Sequence, residues 1–222
     1  MRTFVLIHGA GDAGWYWHLV AVELRARGYG VLAPDLPVGD DALTLDDYAD
    51  AVVEAAGDRD GIVVVGQSFG AFTAPLVAAR RPVASLILVA GMVPAPGESA
   101  DRWWTGSGYA EAVRHRAGQG GDPSAAFYHD VPRELAEEAV RRERAHPSPA
   151  ASAQPWPLDS WPDVPTRFVL CSEDRFLPPG FLRRLVRKRL AVVPEEIAAG
   201  HCAALSRPVE LAGLLAAGAG DR

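Results

Sequence analysis

Ile62-Val63-Val64-Val65-Gly66-Gln67-Ser68-Phe69-Gly70 is the stretch from which the rest of the chain is read. Its first four residues, dense in β-branched side chains, predict a buried strand. Ala71 to Arg80 follows with helix-compatible spacing, and Pro82 stops it. A glycine-serine-glycine pattern therefore falls where a strand turns sharply into a helix. Glycines two residues before and after the serine let the backbone close without a side-chain clash. Such a turn holds the hydroxyl clear of the sheet edge, beside the exposed amides of a helix N-terminus. Short patterns of this kind also arise by chance, so the flanking strand and helix carry the inference.

Toward the N-terminus, Thr3 to Ile7 is a second apolar run, ending in the glycine-rich His8-Gly9-Ala10-Gly11. Trp15 to Arg27 predicts an amphipathic helix closed by Gly28, and Gly30 to Ala33 a short strand. Thr44 suits the N-cap of a helix over Leu45 to Ala56, with Asp46 and Asp47 in its first turn. Val83 to Ala90 reads as a strand. Further on come a strand at Thr166–Cys171, a helix at Pro179–Arg189, a short strand at Pro194–Ala198 and a closing helix at Pro208–Ala217. Strand alternates with helix and hairpin signals are absent. That pattern predicts an α/β fold, with a parallel sheet, right-handed crossovers and helices on both faces.

Gly91 to Val164 interrupts the alternation. Prolines and glycines are frequent there, and it holds four of the six tryptophans, Trp103, Trp104, Trp156 and Trp161. Pro132 to Arg144 predicts a helix and Gly118-Gln119-Gly120-Gly121 a loop, and the Ala-, Ser- and Pro-rich Ala145–Pro157 reads as loop. An insertion this long between two strands is often functional. It reads as a cap over about 92–164, set within a single domain spanning 1–222.

Composition narrows the function classes. A length of 222 residues suits one domain that buries its core without disulfide staples. A formal charge of -6 argues against a nucleic-acid partner. Arg183, Arg184, Arg187, Lys188 and Arg189 cluster at helical spacing among Leu182, Leu185 and Val186, which is the pattern of a solvated helix face. Cys171 and Cys202 make no disulfide framework, which suits a reducing compartment. No signal-peptide pattern and no membrane-length apolar run appears, so the expectation is a soluble cytoplasmic protein without a membrane partner. No feature points to an oligomeric state.

A serine nucleophile needs a base to take its proton, and the base needs a partner that fixes its tautomer. Of six histidines, His18 lies in a helix and His115, His129 and His146 lie in the insert. His8 ends a strand at the glycine loop, where it suits bracing by hydrogen bonds. His201 follows the last short strand next to Gly200, where loops of a parallel sheet converge on a common crevice, and it is the candidate base. The acid should leave the preceding strand, where Glu173 and Asp174 are adjacent, and Asp174 is preferred. The resulting order is Ser68, Asp174, His201. Oxyanion donors are available from the backbone amides of Phe69 and Ala10.

With these residues in place the chain resembles the α/β-hydrolase superfamily along nearly its whole length. It is most similar to the branch of plant methyl esterases, plant hydroxynitrile lyases and bacterial esterase-like proteins. The matching segments are Phe4-Val5-Leu6-Ile7-His8-Gly9-Ala10, Gly14-Trp15-Tyr16-Trp17, Gly66-Gln67-Ser68-Phe69-Gly70, and Gly200-His201 with Leu205-Ser206-Arg207-Pro208. The resemblance implies a six-stranded, mostly parallel core, oxyanion amides at Ala10 and Phe69, and Asp174 rather than Glu173 as the acid. Two positions depart from the pattern. Gln67 stands where the family more often has histidine, and Cys202 occupies the place of the lysine that lyases carry after the catalytic histidine. The second departure speaks against lyase chemistry.

The expected activity is that of a serine hydrolase cleaving a small or aromatic carboxylic ester through an acyl-enzyme, with no metal or organic cofactor. The alternatives are a small-molecule-binding protein or a lyase on the same scaffold, since one fold hosts many chemistries. Phe72, Met92, Trp103, Trp104, Phe127, Tyr128, Trp156 and Trp161 are candidate walls for an apolar or aromatic substrate. Each ring also has the alternative role of holding a small cap together.

Overall fold

Alternate residues of a strand point to opposite faces of its sheet, and here both sets are apolar. Val5, Ile7, Val64, Leu86, Leu88, Phe168 and Leu170 enter one core. Phe4, Leu6, Val63, Val65, Ile87, Val89, Val169 and Cys171 enter the other. A sheet buried on both faces is what continuous apolar strands build. The computed structural model, which describes residues 1–114 and 124–217, shows that sheet. His115 and the Gly118–Gly121 loop expected from sequence lie outside the described residues.

The strands are β1 (Thr3–Ile7), β2 (Gly30–Leu32), β3 (Ile62–Gln67), β4 (Ser85–Val89), β5 (Thr166–Cys171) and β6 (Glu195–Ile197). They lie in the order β2-β1-β3-β4-β5-β6, and every pairing among the described residues is parallel. The first core is closed by α2 (Leu45–Ala56), α3 (Gly70–Arg80) and α9 (Pro179–Leu190). The second is closed by α1 (His18–Ala26), α10 (Ala203–Ser206) and α11 (Pro208–Ala216). Parallel strands exit together, so the loops after β1, β3, β5 and β6 meet at one edge.

Two boundaries differ from the sequence expectation for physical reasons. The helix predicted from Trp15 begins as a 3-10 turn, Gly14–Trp17, before α1. Gly14 lies so close to β2's exit that a Cβ there would meet Ala33 O at 2.0 Å, and its N–H donates to Asp35 Oδ1 at 2.7 Å. β3 runs two residues past Val65, because Gly66 and Gln67 still pair with Leu88 and Val89. The Thr44 cap is present as a reciprocal box with Asp47.

Between β4 and β5 lie α4 (Ala100–Gly106), α5 (Tyr109–Ala112), α6 (Ser124–Tyr128), α7 (Arg133–Arg141) and α8 (Pro149–Ala153). The loop expected over Ala145–Pro157 is corrected by α8. Ser148 caps it through Ala151 N at 3.0 Å, and Pro149 sits in its first turn, where a missing N–H costs nothing. Ser148 also accepts no burial cost, since its N–H donates to Tyr48 Oη at 2.9 Å and its hydroxyl to Leu43 O. Trp103 and Trp156 root the insert. Both are buried, and their indole N–H groups donate to Val93 O at 2.9 Å and Phe72 O at 3.1 Å.

The basic cluster expected to be a solvated face is one only in part. α9 buries Phe181, Leu182, Leu185 and Val186, and Arg183 pairs with Glu196 at the surface. Arg189 instead turns inward and donates to Val93 O at 2.6 Å and Glu98 Oε1 at 2.9 Å, tying α9 to the insert. Among the described residues no helix is long and apolar enough to cross a membrane.

Candidate active site

Ser68 sits between β3 and α3 with φ at 49°, a left-handed conformation unusual for a non-glycine residue. Strain of roughly 1–3 kcal/mol of this kind persists only where surrounding structure enforces it. Here the enforcement is visible. Ser68 N–H donates to Val89 O at 3.1 Å, and Ser68 O accepts from Met92 N at 3.0 Å and Ala71 N at 3.2 Å. The glycines on either side are sterically required. A Cβ on Gly66 would meet Gly70 O at 2.7 Å, and one on Gly70 would meet His8 O at 2.8 Å and Ile7 O at 2.9 Å.

Asp174 and His201 come from the loops after β5 and β6. His201 Nδ1 lies 2.7 Å from Asp174 Oδ2, and both side chains are buried. The other carboxylate oxygen, Oδ1, accepts from the N–H groups of Phe176 at 2.7 Å and Leu177 at 2.8 Å. Three donors thus hold the carboxylate, and its contact with Nδ1 fixes the imidazole tautomer, leaving Nε2 as the free ring nitrogen. Glu173, the competing acid, is exposed, and its carbonyl rather than its carboxylate is engaged, by His129 Nε2 at 3.0 Å.

His8 occupies the bracing position. Leu36 N–H donates to its Nε2 at 3.0 Å, so Nδ1 carries the proton and donates to Gly9 O at 2.8 Å. Burial holds His8 below the ordinary histidine range, in keeping with a neutral ring. Gly9 must be a glycine, since a Cβ there would meet Gln67 Oε1 at 2.4 Å and Ser68 Cβ at 3.1 Å. The amides of Ala10 and Phe69 have no acceptor within the chain among the described residues, and both residues border the cleft beside Ser68.

Ser68 and His201 open onto a cavity of about 500 Å³, the size of a small-molecule site. Met92, Trp104, Phe127 and Tyr128 line it, as the sequence led us to expect. Phe72, Trp103, Trp156 and Trp161 do not. Phe72 stacks on Phe69 with ring centroids 5.5 Å apart, Trp103 and Trp156 anchor the insert, and Trp161 stacks on Trp156. Large rings lower the free energy most where both faces are covered; Phe72, Trp103 and Trp156 found such places in the core, and Trp161 packs half-buried against it.

Several lining residues escaped the sequence reading. Phe176, two residues after Asp174, sets its edge against the His201 ring at 5.0 Å, and Phe127 does the same at 5.5 Å. Asp12, Asp101, Glu143 and His146 also line the cleft. Asp12 lay in plain view inside the first glycine loop, and nothing in its local pattern separated it from a solvated turn residue. Cys202 borders the cleft as well, but burial first, then the charges of Asp12 and Asp174, push its thiol far up. It stays protonated and is a packing residue, not a second nucleophile.

The sequence profile of the alpha/beta hydrolase family matches residues 4–214. Norfluorocurarine synthase 2 of Strychnos sp is 25% identical over 245 residues, covering 95% of this chain and 92% of that protein. Methylesterase 9 of Arabidopsis thaliana is 30% identical over 106 residues, covering 42% of this chain and 41% of its own length. Among solved structures, a pyrethroid hydrolase from Sphingobium faniae JZ-2 superposes with a TM-score of 0.78 at 22% identity, covering 99% of this chain and 98% of that one.

Proposed function

The chain belongs to the alpha/beta hydrolase family, and from that premise we propose that it hydrolyses a carboxylic ester through an acyl-enzyme on Ser68. The observation that carries this reading is the 2.7 Å contact between Asp174 Oδ2 and His201 Nδ1 at the cleft onto which the strained Ser68 opens. A methylesterase and a pyrethroid hydrolase among the similar proteins support it.

In this mechanism Ser68 Oγ attacks the ester carbon as His201 Nε2 takes the hydroxyl proton. The carbonyl oxygen becomes an oxyanion held by the N–H groups of Ala10 and Phe69, worth roughly 100- to 1,000-fold in turnover per donor. The imidazolium, steadied by Asp174, returns the proton to the departing alkoxide and the alcohol leaves. Water then repeats the sequence against the acyl-serine, with its proton passing through His201 back to Ser68 Oγ. Each step uses protein groups and water. The insert over about 92–164 acts as the cap that shapes the substrate pocket, through Trp104, Phe127 and Tyr128, and Phe176 joins them from the loop after β5.

Labelling with a fluorophosphonate followed by peptide mapping tests the reading. The label is expected on Ser68 and lost in Ser68→Ala. A folded parent protein that takes no label, or labels elsewhere, overturns it.

A further inference from the structure

Asp12 lies two residues past Ala10 and lines the same cleft as Ser68 and His201. Burial first, opposed by His201 and reinforced by Glu143, pushes its carboxyl up to about 7. No hydrogen bond or ion pair engages Asp12 among the described residues. Asp12 is half-buried in the cleft wall, and an acid so placed normally has donors built in, as Asp174 does, because desolvating an unmatched carboxylate is costly. Asp12 has none.

Its charged or titratable neighbours on the cleft are Glu143, His146, whose Nε2 lies 3.8 Å from a Glu143 oxygen, and His201. Glu143 sits beside it over Gly11, with an oxygen 3.5 Å from where a Cβ of that glycine would lie. Among the described residues no lysine or arginine lines the cleft. The neighbouring guanidiniums are committed elsewhere, Arg144 to Asp35 and Arg142 to Glu138 and the Trp15 ring. Trp104, Phe127 and Tyr128 line the same cleft, and Tyr128 lies in the field of both Asp12 and Glu143. An unpaired carboxylate beside aromatic faces, with no lysine or arginine on the cleft among the described residues, makes a cation site.

We propose that the cleft selects esters that carry a cationic nitrogen, with the ammonium group seated between Asp12 and the Tyr128 face and Glu143 adding charge at the rim. This inference rests on the ester-hydrolase reading of the cleft and names the substrate class. The ligand supplies the counter-charge that the protein withholds from Asp12. An apolar ester of the same shape gains the aromatic contact alone.

Benzoylcholine and 3,3-dimethylbutyl benzoate form a test pair, since they differ only in nitrogen against carbon at the charged centre. The readout is the ratio of their kcat/KM values within each variant, so any change common to both esters cancels. At low salt and pH 8 the parent protein should favour the charged ester by about tenfold or more. Asp12→Asn should bring the ratio near one, Asp12→Glu should keep part of it, and Glu143→Gln should lower it by a few-fold. A parent ratio of one or less, or a ratio unchanged in Asp12→Asn, overturns the proposal. If neither ester is turned over and fluorophosphonate leaves Ser68 unlabelled, the hydrolase reading fails separately. The cation site is then read by titrating tryptophan fluorescence with benzyltrimethylammonium. Binding that weakens at least fivefold in Asp12→Asn sustains the site, and no binding to the parent overturns it.

Discussion

Asp130, at the foot of the insert, accepts a hydrogen bond from the backbone N–H of Gly200 at 2.8 Å, one residue before His201. Its neighbour His129 reaches the carbonyl of Glu173 at 3.0 Å, one residue before Asp174. The insert thus grips the two loops that present His201 and Asp174. Gly200 makes the approach possible, since a Cβ there would meet Asp130 Oδ1 at 2.4 Å and His129 Nε2 at 2.7 Å.

In the proposed mechanism Asp130 is a positioning residue, acting through the placement of His201. Asp130→Ala should lower kcat by about tenfold with KM little changed, because the lost contact tilts a catalytic loop and not the pocket wall. Asp130→Asn keeps an acceptor and should recover most of the rate. Steady-state kinetics on an aryl ester checks both. Equal loss in the two variants would point to a merely structural role.

The elbow permits no side chain at its glycines. Gly70→Ala would drive a methyl group into the carbonyls of Ile7 and His8, and backbone has little room to yield. A loss of about 1–3 kcal/mol or more is expected, read as a lower denaturation midpoint. Unchanged stability would mean that β1 and α3 are less tightly opposed than described.

Trp103 and Trp104 are adjacent in sequence and opposite in effect. Trp103 is wholly buried with its indole N–H engaged, so Trp103→Ala should cost about 3–5 kcal/mol. Trp104 lines the cleft, so Trp104→Ala should raise KM for aromatic esters while moving the melting temperature far less. Thermal unfolding and a small ester panel separate the two.

Asp12 also links pH to stability. Its carboxyl titrates near 3.8 when solvated and at about 7 in the fold, where burial raises it, His201 lowers it and Glu143 raises it. Between those values the folded protein holds a proton that the unfolded chain has released, so stability falls as pH rises through that window. Asp12→Asn should therefore melt higher than the parent at pH 8, with the gain shrinking toward pH 4.5. A gain independent of pH would contradict the assignment. Stabilisation by removing a charged cleft residue is the usual exchange between stability and function.

The sheet was legible because its central strands β1, β3 and β4 are apolar runs set off by glycine or proline, and Thr166–Cys171 was located to the residue. Ser68, Asp174 and His201 could be named because parallel strands deliver their C-terminal loops to one edge, whatever lies between them. The insert was not legible in the same way. α4, α5, α6 and α8 are short and are held by contacts with distant residues, such as Ser148 with Tyr48 and Leu43, and no periodicity announces that. The rings illustrate the same limit. Phe72 and Trp104 are equally apolar in sequence, and only packing decides which one faces a ligand. Asp12 was passed over because desolvation is a property of its surroundings, not of its neighbours in the chain.

The central claim is that Ser68 is the nucleophile. Hydrolysis of p-nitrophenyl acetate by parent protein and Ser68→Ala, at matched concentration and with the fold checked by circular dichroism, tests it most directly. Turnover should fall by about a thousandfold or more in the variant. Equal rates in the two proteins would contradict the account.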